Sequence, residues 1–172
     1  MDLTPAELTI LGLVVEQARH GYELEQLIEQ RGIRQWTDIG FSSIYYLLGK
    51  LQTSDLVQTA EGSTGAKSRR VFQATEKGKN AAASAALAFI AEAQPIPHPL
   101  LVGLSNMSLL SADNLRLALV QRLGQIEVRI ATVKAAEELQ APLPMPAREV
   151  FSYSLSLLEA ERSWLVSRVQ VS

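Results

Sequence analysis

Three amphipathic stretches, then two short strand-like runs around a polar turn, then two long helical repeats behind proline breaks, predict a mainly α chain. The expected fold is an N-terminal winged helix-turn-helix with a small antiparallel β-hairpin wing, followed by a C-terminal helical dimerisation domain. Its boundaries are 1–80 and 81–172, placed on the fourth helix. An apolar fraction of 47% and a charged fraction of 20% over 172 residues are those of a folded globular protein with room for a core.

The elements follow in order. Thr4-Pro5-Ala6-Glu7 supplies a capping hydroxyl, a proline at the first helical position and a glutamate three residues on, which is a strong helix start. Leu8, Leu11 and Val15 recur at helical spacing until Arg19-His20-Gly21 breaks the run. A second helix carries Tyr22, Leu24, Leu27 and Ile28 and ends at Arg31-Gly32. After a short connection around Trp36 comes a third, over Ser42 to Thr53. Leu56 to Thr59 and Arg70 to Ala74 read as strands, and the glycine- and serine-rich stretch 61–68 as the turn of the wing. Thr75 caps a fourth, alanine-rich helix that runs to Glu92, and Pro95, Pro97 and Pro99 stop it.

A long helix opens at Ser111 or Asp113. Its Leu119, Leu123, Ile126, Ile130 and Val133 keep the alternating spacing of a helix–helix seam. Pro142, Pro144 and Pro146 make a second break. The last helix repeats the spacing with Phe151, Leu155, Leu158 and Leu165, and a second stripe of Val150, Tyr153, Leu157 and Trp164 lies beside it. A tightly packed core helix accounts for two stripes; a second chain accounts for them better, with so few other helices to cover them. The dimerisation residues expected are Leu119, Leu123, Ile126, Phe151, Leu155, Leu158, Trp164 and Leu165.

Several chemistries are excluded or unsupported. The chain has no cysteine, so disulfides and thiol chemistry are absent. His20 and His98 sit in different segments, no nucleophile motif frames a serine, and no metal-ligand spacing occurs, so neither an enzyme nor a metal or cofactor site is expected. No apolar run approaches the ~20 residues of a membrane span, and the N-terminus reads as a helix rather than a signal peptide, so a soluble cytoplasmic protein is expected.

A formal net charge of −2 conceals an asymmetry. Residues 1–39 carry three basic side chains (Arg19, Arg31, Arg34) against seven acidic ones (Asp2, Glu7, Glu16, Glu23, Glu25, Glu29, Asp38). Residues 40–80 carry six basic (Lys50, Lys67, Arg69, Arg70, Lys77, Lys79) against three acidic (Asp55, Glu61, Glu76). Screening confines these fields to about 8–10 Å, so local charge governs contact with phosphate.

Wound at ~100° per residue, the third helix gathers Ile44, Leu47, Leu48 and Leu51 on its docking side. Ser42, Tyr46, Gly49 and Thr53 lie opposite, with Ser43 and Lys50 on one shoulder and Tyr45 on the other. Short hydroxyls and phenols hydrogen-bond base edges or phosphates in a major groove, and a lysine reaches a phosphate. The helix has no acidic residue, whereas the second helix is loaded with them. The expected DNA contacts are Ser42, Ser43, Tyr45, Tyr46 and Lys50 on this helix, and Lys67 and Arg69 on the wing. Tyr45 also fits a core aromatic with one wet edge. A small-molecule pocket is expected where Phe89, Trp164 and neighbouring apolar residues converge.

His20-Gly21-Tyr22-Glu23-Leu24, Ser43 to Leu51, Leu56-Val57 and Arg70 to Gly78, taken in order, resemble the PadR family of bacterial transcriptional regulators. The second half, with Glu161 to Leu165 near its end, resembles the dimerisation domain of the longer PadR-like proteins. The resemblance implies a homodimeric repressor on near-palindromic double-stranded operator DNA, released in some members by a small-molecule inducer. Tyr46 stands where the family usually has proline, and Gly49-Lys50 where a basic pair is common. Asp55 replaces a glycine before Leu56-Val57; aspartate tolerates the left-handed conformation, so the turn is expected to survive. The competing reading is a winged-helix adaptor whose exposed tyrosines bind a protein partner.

Overall fold

A computed structural model describes residues 2–40, 43–60, 70–93 and 95–170. Its helices are α1 (Pro5–Glu16), α2 (Gly21–Gln30), α3 (Ser43–Thr53), α4 (Glu76–Ala91), α5 (Pro99–Ser105), α6 (Ala112–Gln140) and α7 (Met145–Val169). Three short strands, β1 (Arg19–His20), β2 (Val57–Thr59) and β3 (Val71–Ala74), form one antiparallel sheet in the order β1-β3-β2. The chain divides into two compact units, 1–95 and 96–172, so that all of α4 belongs to the first unit; the sequence reading cuts that helix at residue 80.

In the first unit the expected capping box forms at α1. Thr4 Oγ1 accepts from Glu7 N at 3.2 Å, and Glu7 Oε2 accepts from Thr4 N at 2.7 Å. Helix α1 lies at the centre of the unit, packed on α3, α4 and β3. Ile10 and Leu11 of α1, Leu24 and Ile28 of α2, Ile44, Leu48 and Leu51 of α3, and Val57 of β2 are completely buried together.

The hairpin register pairs Val57 with Ala74 and Thr59 with Phe72. The central strand also receives β1, with Arg19 opposite Phe72 and His20 opposite Val71. That third strand was not expected; the sequence reads Arg19-His20-Gly21 only as a break. Asp55 adopts the left-handed conformation at φ 60°, so the turn in front of β2 does survive the loss of glycine.

The junction of the hairpin with α4 is tight. Thr75 Oγ1 accepts from Gly78 N at 2.9 Å and donates to Asp55 O at 2.8 Å. A Cβ on Gly78 would stand 2.0 Å from the carbonyl oxygen of Leu56, so only glycine fits there.

The second unit is built on the antiparallel pair α6 and α7, the expected outcome of a short connection. Leu119, Ile126 and Ile130 meet Leu158 and Leu165 in a buried seam, with Leu115, Leu123, Val133, Leu155, Trp164 and Val169 packed around it. Arg122 pairs with Glu161 at 2.5 Å, Arg162 with Glu127 at 3.4 Å and Lys134 with Glu159 at 3.4 Å, tying one turn of α7 to the middle of α6. Helix α5 and a 3-10 turn over Met107–Leu109 interrupt the stretch that the prolines suggested was irregular. Among the described residues, no helix is long and apolar enough to cross a membrane.

Candidate nucleic-acid interface

Helix α3 presents the side that its periodicity predicts. Ile44, Leu47, Leu48 and Leu51 are buried, while Tyr46 on the opposite side is 71% exposed. Gly49 has nothing within 4 Å of where a side chain would begin, so the helix surface is open there. Thr53 Oγ1 donates to Gly49 O at 2.9 Å, which commits its proton to the helix itself. Ser43 is half-buried at the first turn, its N–H donating to Gly40 O at 3.0 Å. Ser42, Lys67 and Arg69 lie outside the described residues.

Arg34 fixes the approach to α3. Its Nε donates to Ile39 O at 3.0 Å, one terminal nitrogen bonds Glu29 at 2.7 Å, and the other bonds Glu25. The planar guanidinium therefore joins two successive turns of α2 to the segment that leads into α3.

Tyr45 combines a structural with a surface position. Its ring covers Gly21 at the start of α2: a Cβ on Gly21 would lie 2.5 Å from Tyr45 Cε1. The rest of the ring is accessible, with 39% of the residue exposed. Beside it, His20 stacks on Tyr22 at 5.3 Å between centroids, and Tyr22 is exposed. The His-Gly-Tyr motif thus forms an aromatic edge next to α3.

Lys50 is not a free cation. Its Nζ sits 2.5 Å from Oε1 of Glu7, a side chain almost fully buried at the α1 N-terminus. Burial pushes the Glu7 carboxyl up, but the hydrogen bond from Lys50 and those with Thr4 outweigh it and hold the group below its usual value. The same hydrogen bond with Glu7 raises the Lys50 ammonium above the usual lysine value. Stripping a buried ion of its partner costs about 3–5 kcal/mol, whereas an exposed ion pair contributes only ~0.2–1 kcal/mol. Loss of Lys50 would therefore leave the Glu7 carboxylate buried without a counter-charge. The capping box marks Glu7 in the sequence, yet nothing local marks its second partner, 43 residues away in the chain.

Cations also stand on the sheet. Arg19 of β1 faces Phe72 across the strand pair, and Arg70 precedes β3 by one residue, so alternation places both on the Phe72 side. Both are half-buried, and Arg19 Nε is buried with no hydrogen-bond partner among the described residues. Arg19 was not among the expected contacts, because its strand is too short to show alternation.

Residues 10–84, from the core of α1 through the first turns of α4, match the family model described as "Transcriptional regulator PadR-like family". These residues are similar to that family. No curated protein matches the chain in sequence. Among solved structures, Bacillus subtilis PadR in complex with operator DNA is 20% identical, with a TM-score of 0.77 over 98% of this chain and 99% of that one. The same protein in complex with p-coumaric acid is 19% identical, with a TM-score of 0.78 and 96% of each chain covered. The Vibrio cholerae virulence activator AphA is 17% identical, with a TM-score of 0.72 and 95% of each chain covered. At these identities the likeness is one of fold. The PadR-like unit here carries a solvent-facing tyrosine, Tyr46, at the centre of its third helix.

The expected dimerisation residues are used within the chain. Leu119, Ile126, Leu158 and Leu165 are buried in the α6–α7 seam, and Leu123, Leu155 and Trp164 pack against it; Phe151 is half-buried. On α7 the stripe beside them is uncovered, with Val150, Tyr153 and Leu157 all exposed. Of the two expected pocket residues, Phe89 is exposed on α4 of the first unit, and Trp164 lies on α7 of the second beneath the Arg168 guanidinium, 5.3 Å from its ring. A separate apolar cleft of about 250 Å³ lies within the second unit, between α5 and α6, with Leu100, Leu104, Leu110, Leu119 and Arg122 among its walls.

Proposed function

We propose that the protein is a homodimeric transcriptional regulator, a repressor, that acts in the cytoplasm on near-palindromic operator DNA. The observation that carries this reading is the outer side of α3: an acid-free helix with Tyr46 exposed, held by a buried apolar face on the opposite side. A helix of this kind enters the major groove, where Tyr46, Ser43 and the accessible edge of Tyr45 reach bases or phosphates. Phosphate contact falls to Lys67 and Arg69 on the wing, because Lys50 is held by Glu7 and the Phe72 side of the sheet, which carries Arg19 and Arg70, faces the core. The operator complex of the fold relative from Bacillus subtilis supports the same reading.

In a dimer two recognition helices stand about 34 Å apart and read half-sites one turn apart. The stripe of Val150, Tyr153 and Leu157 is the face we assign to the second chain. A small molecule relieves repression; the fold relative solved with p-coumaric acid supports this. The cleft of about 250 Å³ between α5 and α6 falls just below the ~300 Å³ at which small-molecule sites begin.

The test is fluorescence anisotropy of the purified protein on the DNA upstream of its own gene, beside a scrambled duplex, at two salt concentrations. Selective binding that weakens as salt rises is expected. Binding to neither duplex by a folded dimer would overturn the proposal and favour a protein partner for the tyrosine face.

A further inference from the structure

The sequence of α3 contains one cation, Lys50, and the fold places a carboxylate against it. Glu7 reaches α3 from the N-terminus of α1, with Oε2 taken by the backbone N–H of Thr4 at 2.7 Å and Oε1 facing Lys50 Nζ at 2.5 Å. The capping role needs only one acceptor oxygen. A glutamine would supply it, so the negative charge of Glu7 has no part in capping that a neutral amide could not fill. What the charge does is hold the ammonium. The Lys50 side chain stays 46% exposed on the shoulder of α3, within reach of solvent but neutralised.

We infer that Glu7 sets the affinity and the salt dependence of DNA binding without touching DNA, by keeping the single cation of the recognition helix off the phosphates. The inference rests on the DNA-binding reading above. A phosphate contact adds to binding at every sequence and adds its own increment of salt dependence. With Lys50 held, α3 meets the groove with neutral groups, and the electrostatic part of binding is left to the wing. Glu7 is thus a positioning residue that acts through Lys50.

The experiment compares wild type, Glu7→Gln and the double variant Glu7→Gln/Lys50→Gln on the upstream duplex and a scrambled duplex, titrated across a series of salt concentrations. Circular dichroism and thermal melting of each variant accompany the binding series. Freed from its partner, Lys50 in Glu7→Gln takes up a phosphate contact. Affinity for both duplexes then rises severalfold at low salt, by a similar factor, and the slope of log K against log salt steepens by ~0.9. A merely structural role for Glu7 moves stability and leaves that slope alone. A folded Glu7→Gln with the wild-type slope overturns the inference.

Should Glu7→Gln not fold, the double variant decides, since it removes both charges together. A slope equal to wild type is the expected result, since Lys50 held by Glu7 makes no phosphate contact; Glu7→Asp, which keeps the charge, is likewise expected to keep the wild-type slope. In the double variant, a slope shallower by ~0.9 shows that Lys50 was a contact all along and overturns the inference. Wild type that binds neither duplex defeats the DNA-binding reading first, and the inference falls with it.

Discussion

The ring of Tyr45 lies directly on Gly21, so close that a single carbon added to the glycine would sit 2.5 Å from Cε1. This contact joins the first residue of α2 to the first turn of α3. It also explains why β1 passes into α2 without an intervening loop: the chain has no side chain at the point where the tyrosine crosses it.

Two glycine-to-alanine substitutions test how such contacts differ. At Gly21 the obstacle is the far end of a side chain that is already 39% exposed, so the ring swings outward. The cost of Gly21→Ala is ~1 kcal/mol or less, partly offset by the better helix propensity of alanine. At Gly78 the obstacle is the Leu56 carbonyl, which is backbone and cannot swing away. Gly78→Ala costs ~3 kcal/mol, at the top of the overpacking range. Urea unfolding of both variants measures the difference, and equal costs would show that the Tyr45 ring is as fixed as the backbone.

Tyr46 separates recognition from stability. Because it is 71% exposed and opposite the buried leucines, Tyr46→Ala changes stability by less than about 0.5 kcal/mol. Its effect falls on base preference, by ~1–3 kcal/mol at the base pair it contacts. Competition among operators carrying single base-pair changes measures this. An unchanged preference profile would remove Tyr46 from the groove.

Acid acts on the same helix through Glu7. Its folded-state carboxyl titrates below the usual value, so its stabilisation is fully present above the unfolded value of about 4.3. That stabilisation is lost as pH falls through this value and then through the lower folded one. Lys50, raised by the same hydrogen bond, loses its share only as pH rises through ~10.4 and the folded value above it. Thermal midpoints followed from pH 6 to pH 3 are expected to fall more steeply in wild type than in Glu7→Gln. Parallel curves would mean that other carboxylates govern acid unfolding.

How much of this was legible in the sequence depends on whether a feature is local. The α1 capping box, the leucine side of α3 and the left-handed turn at Asp55 are local patterns, and they appear as read. Strand β1 was missed because two residues cannot show a period; its pairing is dictated by β3, some 50 residues on. Helix α5 was missed because three prolines mask it, although Pro99 occupies the first helical turn, where proline is favoured. The Lys50–Glu7 pair and the Tyr45–Gly21 contact exist only after the helices have docked, so the sequence shows neither partner, although Tyr45 does read as a core aromatic with one wet edge.

The two stripes of α7 pose the same problem at the level of assembly, since periodicity shows that both are apolar but not which neighbour each meets. Leu165, completely buried in the α6–α7 seam, belongs to the fold of one chain. Leu165→Ala therefore destabilises the hairpin by ~2–5 kcal/mol. Leu157 is 55% exposed on the other stripe, between Tyr153 and Trp164. Leu157→Glu leaves helix content unchanged but places a charge in the proposed interface, and the protein becomes a monomer by light scattering coupled to size-exclusion chromatography. Binding to a two-half-site duplex then drops, whereas the residual binding to a single half-site is retained. A Leu157→Glu protein that remains a dimer would move the interface away from this stripe.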